Sequence, residues 1–90
     1  MARLGMDVDE VERVAGTLHQ QSTQLTTAMN QIGQAVQQAV QAWEGQDSRQ
    51  FHDEWQSNYR PALQKMSQAI EELSKKAREN ARAQREVSGR

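Results

Sequence analysis

The segment AVQAWEGQDSRQF, residues 39–51, decides the fold of this chain. At its centre the tripeptide W-E-G stands between two stretches whose apolar residues follow helical spacing. Glycine readily adopts the left-handed conformation found just past a helix end, so Gly45 is expected to end the first helix. Asp47 or Ser48 is then expected to cap the second helix. Two long helices joined over residues 43–47 must fold back antiparallel, which predicts a hairpin with a short turn.

The first helix is predicted over about residues 8–43. Asp7 can accept the free N–H groups of the first turn, and Glu10 follows three residues later, as in a capping box. From Val8 onward, a stripe of mostly apolar residues follows alternating steps of three and four, a pattern typical of helices that pack against helices. These positions are Val8, Val11, Ala15, Leu18, Ser22, Leu25, Met29, Ile32, Val36, Ala39 and Trp43.

The second helix is predicted over about residues 48–80. Its apolar positions are Phe51, Trp55, Tyr59, Leu63, Met66, Ile70, Leu73 and Ala77. A proline inside a helix removes a hydrogen bond and clashes with the preceding turn. Because the pattern continues across Pro61, we expect a kink there; the alternative is two shorter helices that meet near Tyr59. Beyond Ala77 the stripe fades, so a charged tail is expected to fray toward residue 90.

Composition excludes several other classes of protein. The chain has 90 residues, no cysteine, 36% hydrophobic and 4% aromatic residues, and a net charge of -1. So few strand-forming residues disfavour a β-sandwich or barrel, and the charge balance disfavours a nucleic-acid-binding protein. No apolar run is long enough for a membrane span, and the first residues hold no run typical of a cleaved secretory signal.

An isolated hairpin of this kind would leave much of each apolar stripe in water. Each large apolar side chain left exposed forgoes about 1.5–3 kcal/mol, so we expect a partner of similar shape. The prediction is an all-α fold, an antiparallel helix-turn-helix hairpin that dimerises into a four-helix bundle. The expected bundle interface consists of Val11, Leu18, Leu25, Met29, Ile32, Val36, Phe51, Trp55, Tyr59, Leu63, Met66, Ile70 and Leu73.

The sequence contains no constellation typical of catalysis, cofactor binding or metal binding. His19 and His52 are far apart, and in an antiparallel hairpin residue 52 should face the late thirties rather than His19. No Ser-His-acid arrangement and no glycine-rich phosphate loop accompanies them. A narrow bundle also lacks the concave pocket that an active site needs. We therefore expect a non-enzymatic protein without a cofactor or metal.

The combination of length, absent cysteine and a central W-x-G turn resembles the WXG100 family, the ESAT-6-like small proteins of type VII secretion. The resemblance covers roughly residues 6–77 and implies pairing with itself or a paralogous WXG100 protein. It also implies synthesis in the bacterial cytoplasm and export by a type VII secretion ATPase, without a cleaved signal, to the outside. The turn residues Trp43, Glu44 and Gly45 would then form part of the export motif.

One part of the family pattern is missing from this sequence. The family carries a Y-x-x-x-D/E motif after the second helix, whereas Tyr59 lies within that helix and is followed four residues later by Leu63. Either a partner protein carries the motif, or the tail of this chain uses other determinants. The alternative function is therefore an adaptor or chaperone that pairs with the helical targeting domain of a larger type VII effector.

A third and weaker reading is a membrane-active helical protein. Residues 74–90 carry six basic residues against two acidic ones, and such a tail could meet an anionic surface. The simpler interpretation is a solvated helix end, where cations are favoured by the helix dipole. The polar faces are rich in glutamine rather than lysine, so a protein partner explains the apolar stripe better than a membrane does.

Overall fold

A computed structural model describes residues 5–88 of the chain. It is all-helical over these residues and forms the predicted hairpin. Helix α1 spans Val8–Gln41, α2 spans Gln46–Glu54, a π-helical segment spans Trp55–Tyr59, and α3 spans Arg60–Ser88. The last three elements follow one another without a break and together form the second arm. The molecule measures 67 × 18 × 16 Å along its principal axes.

Helix α1 begins as its sequence predicts. The side chain of Asp7 accepts a hydrogen bond from the Glu10 N–H at 3.3 Å and satisfies one of the free donors of the first turn. The helix ends at Gln41, two residues before the expected position. The Trp43 N–H still donates to the Val40 carbonyl at 3.3 Å, so the chain leaves the helix gradually.

The cap of α2 differs from the expected one. Gly45, rather than Asp47 or Ser48, occupies the N-cap position, with φ 113° and ψ -177°. This backbone conformation is essentially restricted to glycine, so Gly45 makes the turn into the second arm. Ser48 is buried instead, and its hydroxyl donates to the Val40 carbonyl at 3.5 Å. The serine that could have capped the helix is therefore used to join the two arms.

The second arm contains a wide helical turn directly before its proline. The Arg60 N–H donates to the carbonyl of Trp55, five residues earlier, which defines a π turn directly before Pro61. A π turn holds one residue more than an α turn. The arm therefore stays helical through Pro61, and the alternative of two separate helices near Tyr59 does not occur.

Helix α3 continues to Ser88, beyond the point near residue 80 where we expected the chain to fray. Two contacts explain the difference. Ala81 is fully buried against the first arm, and Arg85 donates to the carboxylates of Asp9 and Glu12 at the start of α1. The end of the hairpin is thus held by a small residue that permits close approach and by a cross-arm ionic contact.

The buried residues between the arms follow one line along each arm. On α1 they succeed one another in steps of seven, which keeps them on one helix face. The α1 residues are Ala15, Ser22, Met29 and Val36, and the buried residues of the second arm are Ser48, Trp55, Ser74 and Ala81. The large side chains Met29, Val36 and Trp55 form one cluster, with Val40 and Leu63 partly buried against it.

Candidate protein-interaction surface

Large apolar side chains on both arms remain open to solvent in the hairpin. On α1, Ile32 is 42% exposed. On the second arm, Tyr59, Met66 and Leu73 are 57%, 55% and 56% exposed. These values are far above those of the buried cluster, where Trp55 is 7% exposed. The side chains that helical spacing marks as apolar are therefore divided between a closed core and an uncovered surface.

Polar contacts identify one side of the hairpin. His19 and Thr26 each lie four residues after a buried residue of α1, and Glu71 lies four residues after Ser67 on α3. The Nδ1 atom of His19 lies 2.8 and 2.9 Å from the two Glu71 carboxylate oxygens. Thr26 and Ser67 share a hydrogen bond of 2.8 Å. His19 and Thr26 on α1 and Glu71 on α3 therefore lie on one side of the hairpin, which we call the polar side.

The exposed apolar residues lie on the opposite side, which we call the open face. On α1, Leu25 and Ile32 come three residues after the buried Ser22 and Met29. On α3, Leu73 comes one residue before the buried Ser74, and Met66 comes one residue before Ser67. In a helix, a residue three positions after a buried residue, or one position before it, lies on the opposite side from the residue four positions after it. The apolar strips of the two arms therefore point the same way and form one continuous surface.

The open face is uncharged along its central length. Between residues 11 and 35 of α1, and between residues 59 and 73 of the second arm, its positions carry apolar residues, alanine or glutamine. The small flanking residues are Ala28, Ala35, Ala62 and Ala69. Covering this surface would bury no charged side chain, and the burial of charge is the most costly part of covering a protein surface. The face is therefore suited to contact with another apolar protein surface.

The predicted interface residues separate into three groups. Met29, Val36 and Trp55 belong to the hairpin's own core, and Leu63 packs partly against them. A second group is exposed on the open face. Its members are Ile32, Phe51, Tyr59, Met66 and Leu73. A third group is half-buried at the edge between core and face. Its members are Val11, Leu18, Leu25 and Ile70.

Residues of α3 outside the predicted apolar stripe hold the arms together. The hydroxyl of Ser67 donates to the Ser22 carbonyl at 2.9 Å, and the hydroxyl of Ser74 donates to the Ala15 carbonyl at 2.7 Å. Ser67, Ser74 and Ala81 succeed one another in steps of seven, a regular spacing that is visible in the sequence. This spacing indicates the contact between the arms, but apolar periodicity does not reveal it because the residues are small or polar.

The turn carries an aromatic pair. The rings of Trp43 and Phe51 lie 5.5 Å apart between centroids at an angle of 51°, a tilted arrangement that aromatic pairs favour. Their side chains are 42% and 40% exposed. Phe51 comes three residues after the buried Ser48, the same offset that places Ile32 on the open face. The pair therefore extends the apolar surface to the tip of the hairpin.

Charge on the polar side is concentrated around Glu71. Its carboxylate accepts from His19 and from the Ser22 hydroxyl, the latter at 3.0 Å. These hydrogen bonds, and the nearby positive charge of Lys75, lower the pKa of Glu71 below its usual value. Arg85 makes an ionic contact across the arms as well, and its Nη2 lies 3.0 Å from the Asp9 carboxylate. These groups close the polar side of the hairpin.

The two histidines take part in separate contacts. His19 meets Glu71, whereas the Nε2 atom of His52 lies 3.2 Å from the Gln37 side-chain nitrogen. The prediction that residue 52 faces the late thirties is confirmed. Over residues 5–88, no three side chains of His, Cys, Asp or Glu come together in a way that would hold a metal ion. Over the same stretch, no helix has the length and apolar character that crossing a membrane requires.

Comparison with known proteins identifies the family. The family model WXG100, described as proteins of 100 residues with WXG, matches residues 3–87. Neither the curated proteins nor the solved structures gave a significant match. WXG100 proteins are small helical substrates of type VII secretion, are not known as enzymes, and typically pair with other WXG100 proteins. Because the match covers nearly the whole chain and includes the turn, this protein belongs to the WXG100 family.

Proposed function

We propose that this protein is a non-enzymatic substrate of a type VII secretion system, exported as a homodimer or as a heterodimer with a paralogous WXG100 protein. The observation that supports the proposal is the open face. It is apolar, uncharged along its central length, and continuous across both arms. A second hairpin with a similar face would cover it and complete a four-helix bundle.

The proposed interface differs in one respect from the set expected from the sequence. Met29, Val36 and Trp55 lie beneath it, because they fill the space between the two arms of one chain. The residues proposed to meet the partner are Val11, Leu18, Leu25, Ile32, Phe51, Tyr59, Leu63, Met66, Ile70 and Leu73. Each large side chain covered by the partner would contribute about 1.5–3 kcal/mol gross, which favours association at micromolar concentrations.

The proposed role of the turn is recognition by the secretion machinery. Trp43 and Phe51 are partly exposed at the tip, and Gly45 holds the backbone in a conformation that other residues rarely adopt. In this proposal Trp43, Glu44 and Gly45 form the part of the export signal that this chain supplies. The secretion ATPase would be the partner of the exported dimer, and the protein would reach the outside of the cell.

The assembly test uses a matched pair of variants on α1. Ile32→Asp places a charge on the open face, whereas Gln34→Asp places the same charge on an exposed position away from it. Size-exclusion chromatography with light scattering should show a dimer for the wild type and for Gln34→Asp. It should show a helical monomer for Ile32→Asp, because burying an unpaired carboxylate is costly. A wild-type monomer at micromolar concentration would refute self-association.

The export test measures secretion from the producing bacterium. Trp43→Ala should leave the dimer intact but abolish the appearance of the protein in the culture medium, whereas Gln34→Asp should be exported normally. Deletion of the secretion ATPase should retain the wild-type protein inside the cell. Secretion of Trp43→Ala at the wild-type level would contradict the role proposed for the turn.

The second candidate function is an adaptor for a larger effector, and the missing Y-x-x-x-D/E motif favours it. In that case the open face would be covered by the helical targeting domain of the effector. Co-purification of this chain with the product of a neighbouring reading frame, in a one-to-one complex sensitive to Ile32→Asp, would support the adaptor. A wild-type chain that pairs only with itself would count against it.

A further inference from the structure

The two ends of the hairpin are packed with side chains of different size. We define the tip zone as residues 26–63 and the free-end zone as residues 8–22 together with residues 67–88. The cluster of large buried side chains lies entirely in the tip zone. The buried side chains of the free-end zone are all small. They are Ala15, Ser22, Ser74 and Ala81.

The larger apolar residues of the free-end zone do not fill the space between the arms. Leu18 and Ile70 are half-buried at the edge of the open face, and Leu73 is exposed on it. Separating the arms in this zone would therefore uncover little large apolar side-chain surface, whereas separating them in the tip zone would uncover Met29 and Trp55. Since hydrophobic stabilisation follows the apolar area buried, the tip zone holds the arms together more strongly.

Polar contacts replace large apolar contacts in the free-end zone. The Ser74 hydroxyl donates to the Ala15 carbonyl, and Glu71 accepts from His19 and Ser22. Further along, Arg85 contacts the carboxylates of Asp9 and Glu12, and its side chain is more than half exposed. On separation of the arms these groups exchange their contacts with one another for contacts with water, so the net contribution of each contact to stability is small.

From this division we propose that the hairpin opens from its free ends while the tip zone stays closed. Once the arms part, the helical pieces of the free-end zone, residues 8–22 and 67–88, lose the tertiary packing that supplies most of the stability of helices in proteins. Opening would therefore be accompanied by loss of helix in the parted segments. This is a local transition of lower free energy than global unfolding.

Such opening is a conformational device within a single chain and does not depend on the proposed export function. It frees the beginning of α1 and the end of α3 together, because each is held chiefly by the other. Within residues 5–88, the Arg85 contact with Asp9 and Glu12 is the ionic contact nearest the free ends, and it must break when the arms part. The free-end zone is thus a pair of segments that a binding partner could capture in an open form.

Hydrogen–deuterium exchange of the full chain, read by mass spectrometry, tests the proposal. Amides of residues 12–22 and 67–81 should exchange roughly tenfold or more faster than those of residues 29–40 and 48–55, and the two free-end segments should exchange at similar rates. The measurement should be repeated on Ile32→Asp, so that coverage of the open face by a partner does not determine the result. Equal exchange in both zones of Ile32→Asp would overturn the proposal.

A variant separates concerted opening from the fraying of helix ends. Arg85→Gln should accelerate exchange in residues 12–22 as well as in its own arm, without changing the tip zone. Arg49→Gln, an exposed arginine on α2, is the matched control and should change neither zone. Rapid exchange confined to the outermost turn of each arm, or an Arg85→Gln effect that spreads equally to the tip zone, would contradict opening of the free-end zone as a unit.

Discussion

The hydroxyl of Ser74 donates a hydrogen bond to the main-chain carbonyl of Ala15 at 2.7 Å, and both residues are completely buried. At this point the two arms meet through a serine and an alanine, with no larger side chain between them. The contact shows why helical periodicity of apolar residues describes the outside of this hairpin better than its inside. Close approach of the arms depends on small residues and hydroxyl groups at successive buried positions.

Enlarging Ser74 should therefore cost more than removing its hydroxyl. Ser74→Ala is expected to lose about 0.5–1.5 kcal/mol of unfolding free energy through the lost hydrogen bond. Ser74→Leu is expected to lose about 1–3 kcal/mol or more, because the side chain must push the arms apart. Urea unfolding followed by circular dichroism measures both values. Lys76→Leu, on an exposed position nearby, is the control for adding leucine to α3, and a Ser74→Leu variant as stable as this control would contradict the close approach.

Two glycines should respond in opposite ways to alanine. A Cβ atom at Gly16 would meet nothing within 4 Å, so Gly16→Ala should raise stability by about 0.5–1 kcal/mol through helix propensity. Gly45 has a φ of 113°, so Gly45→Ala should lower stability by about 1–3 kcal/mol through backbone strain. Thermal unfolding of both variants against the wild type provides the measurement. Stabilisation by Gly45→Ala would show that the turn does not require this backbone conformation.

Acid should weaken the cross-arm contact of Glu71. Hydrogen bonds from His19 and Ser22 lower its pKa in the folded chain, so its contribution to stability is fully present above the unfolded-state value of 4.5. That contribution is lost as the pH falls through the lower folded-state pKa. The midpoint temperature of Glu71→Gln should therefore fall less than that of the wild type between pH 6 and roughly pH 3. Glu72→Gln, which removes an exposed neighbouring carboxylate, should keep the wild-type acid dependence; an unchanged dependence in Glu71→Gln would contradict the assignment.

Because of the π turn, Pro61 should destabilise the second arm less than a proline destabilises a regular helix. In a regular helix a proline costs about 3 kcal/mol, but here the turn before it is already wide. Pro61→Ala should consequently raise stability by less than about 1 kcal/mol, well below the gain from removing proline from a regular helix. Chemical unfolding of the variant gives the value. A gain near 3 kcal/mol would indicate that the π turn does not relieve the clash.

The sequence was sufficient to predict the hairpin but not the position of its wide turn. Phe51, Trp55, Tyr59 and Leu63 follow one another in steps of four, which in a regular α-helix would carry the apolar stripe around the surface. The extra residue of the π turn absorbs this drift and keeps the stripe on one side. The drift was visible in the spacing, but spacing alone does not distinguish a wide turn from a kink.

The open face was only partly predictable. An apolar stripe wider than one seam indicates that a helix touches more than one neighbour, which led to the expected interface. It does not reveal which positions face the other arm of the same chain. Met29 and Trp55 belong to the expected bundle interface, and in it they pack between the two arms of one chain, because the alternating apolar positions serve contacts within a chain and between chains. Ser67, Ser74 and Ala81 mark the side of α3 that faces the other arm. These residues are small or polar, so apolar periodicity does not reveal that side.

The end of α3 shows a further limit of composition. Residues beyond Ala77 are mostly polar, and their charge suggested a frayed tail. The cross-arm partners of Arg85 lie more than seventy residues earlier in the chain, at Asp9 and Glu12. Such a contact depends on the register of the arms, which local sequence does not specify.

The slender outline of the hairpin, 67 Å long and 18 by 16 Å across, bears on passage through a channel. Travelling lengthwise, a folded hairpin needs a bore set by two helices side by side, each about 10–12 Å in diameter, whatever the length of the chain. Pairing two hairpins face to face doubles one dimension of that outline and leaves the other nearly unchanged. A channel of a given inner diameter would therefore admit a single folded hairpin but exclude a folded pair of hairpins.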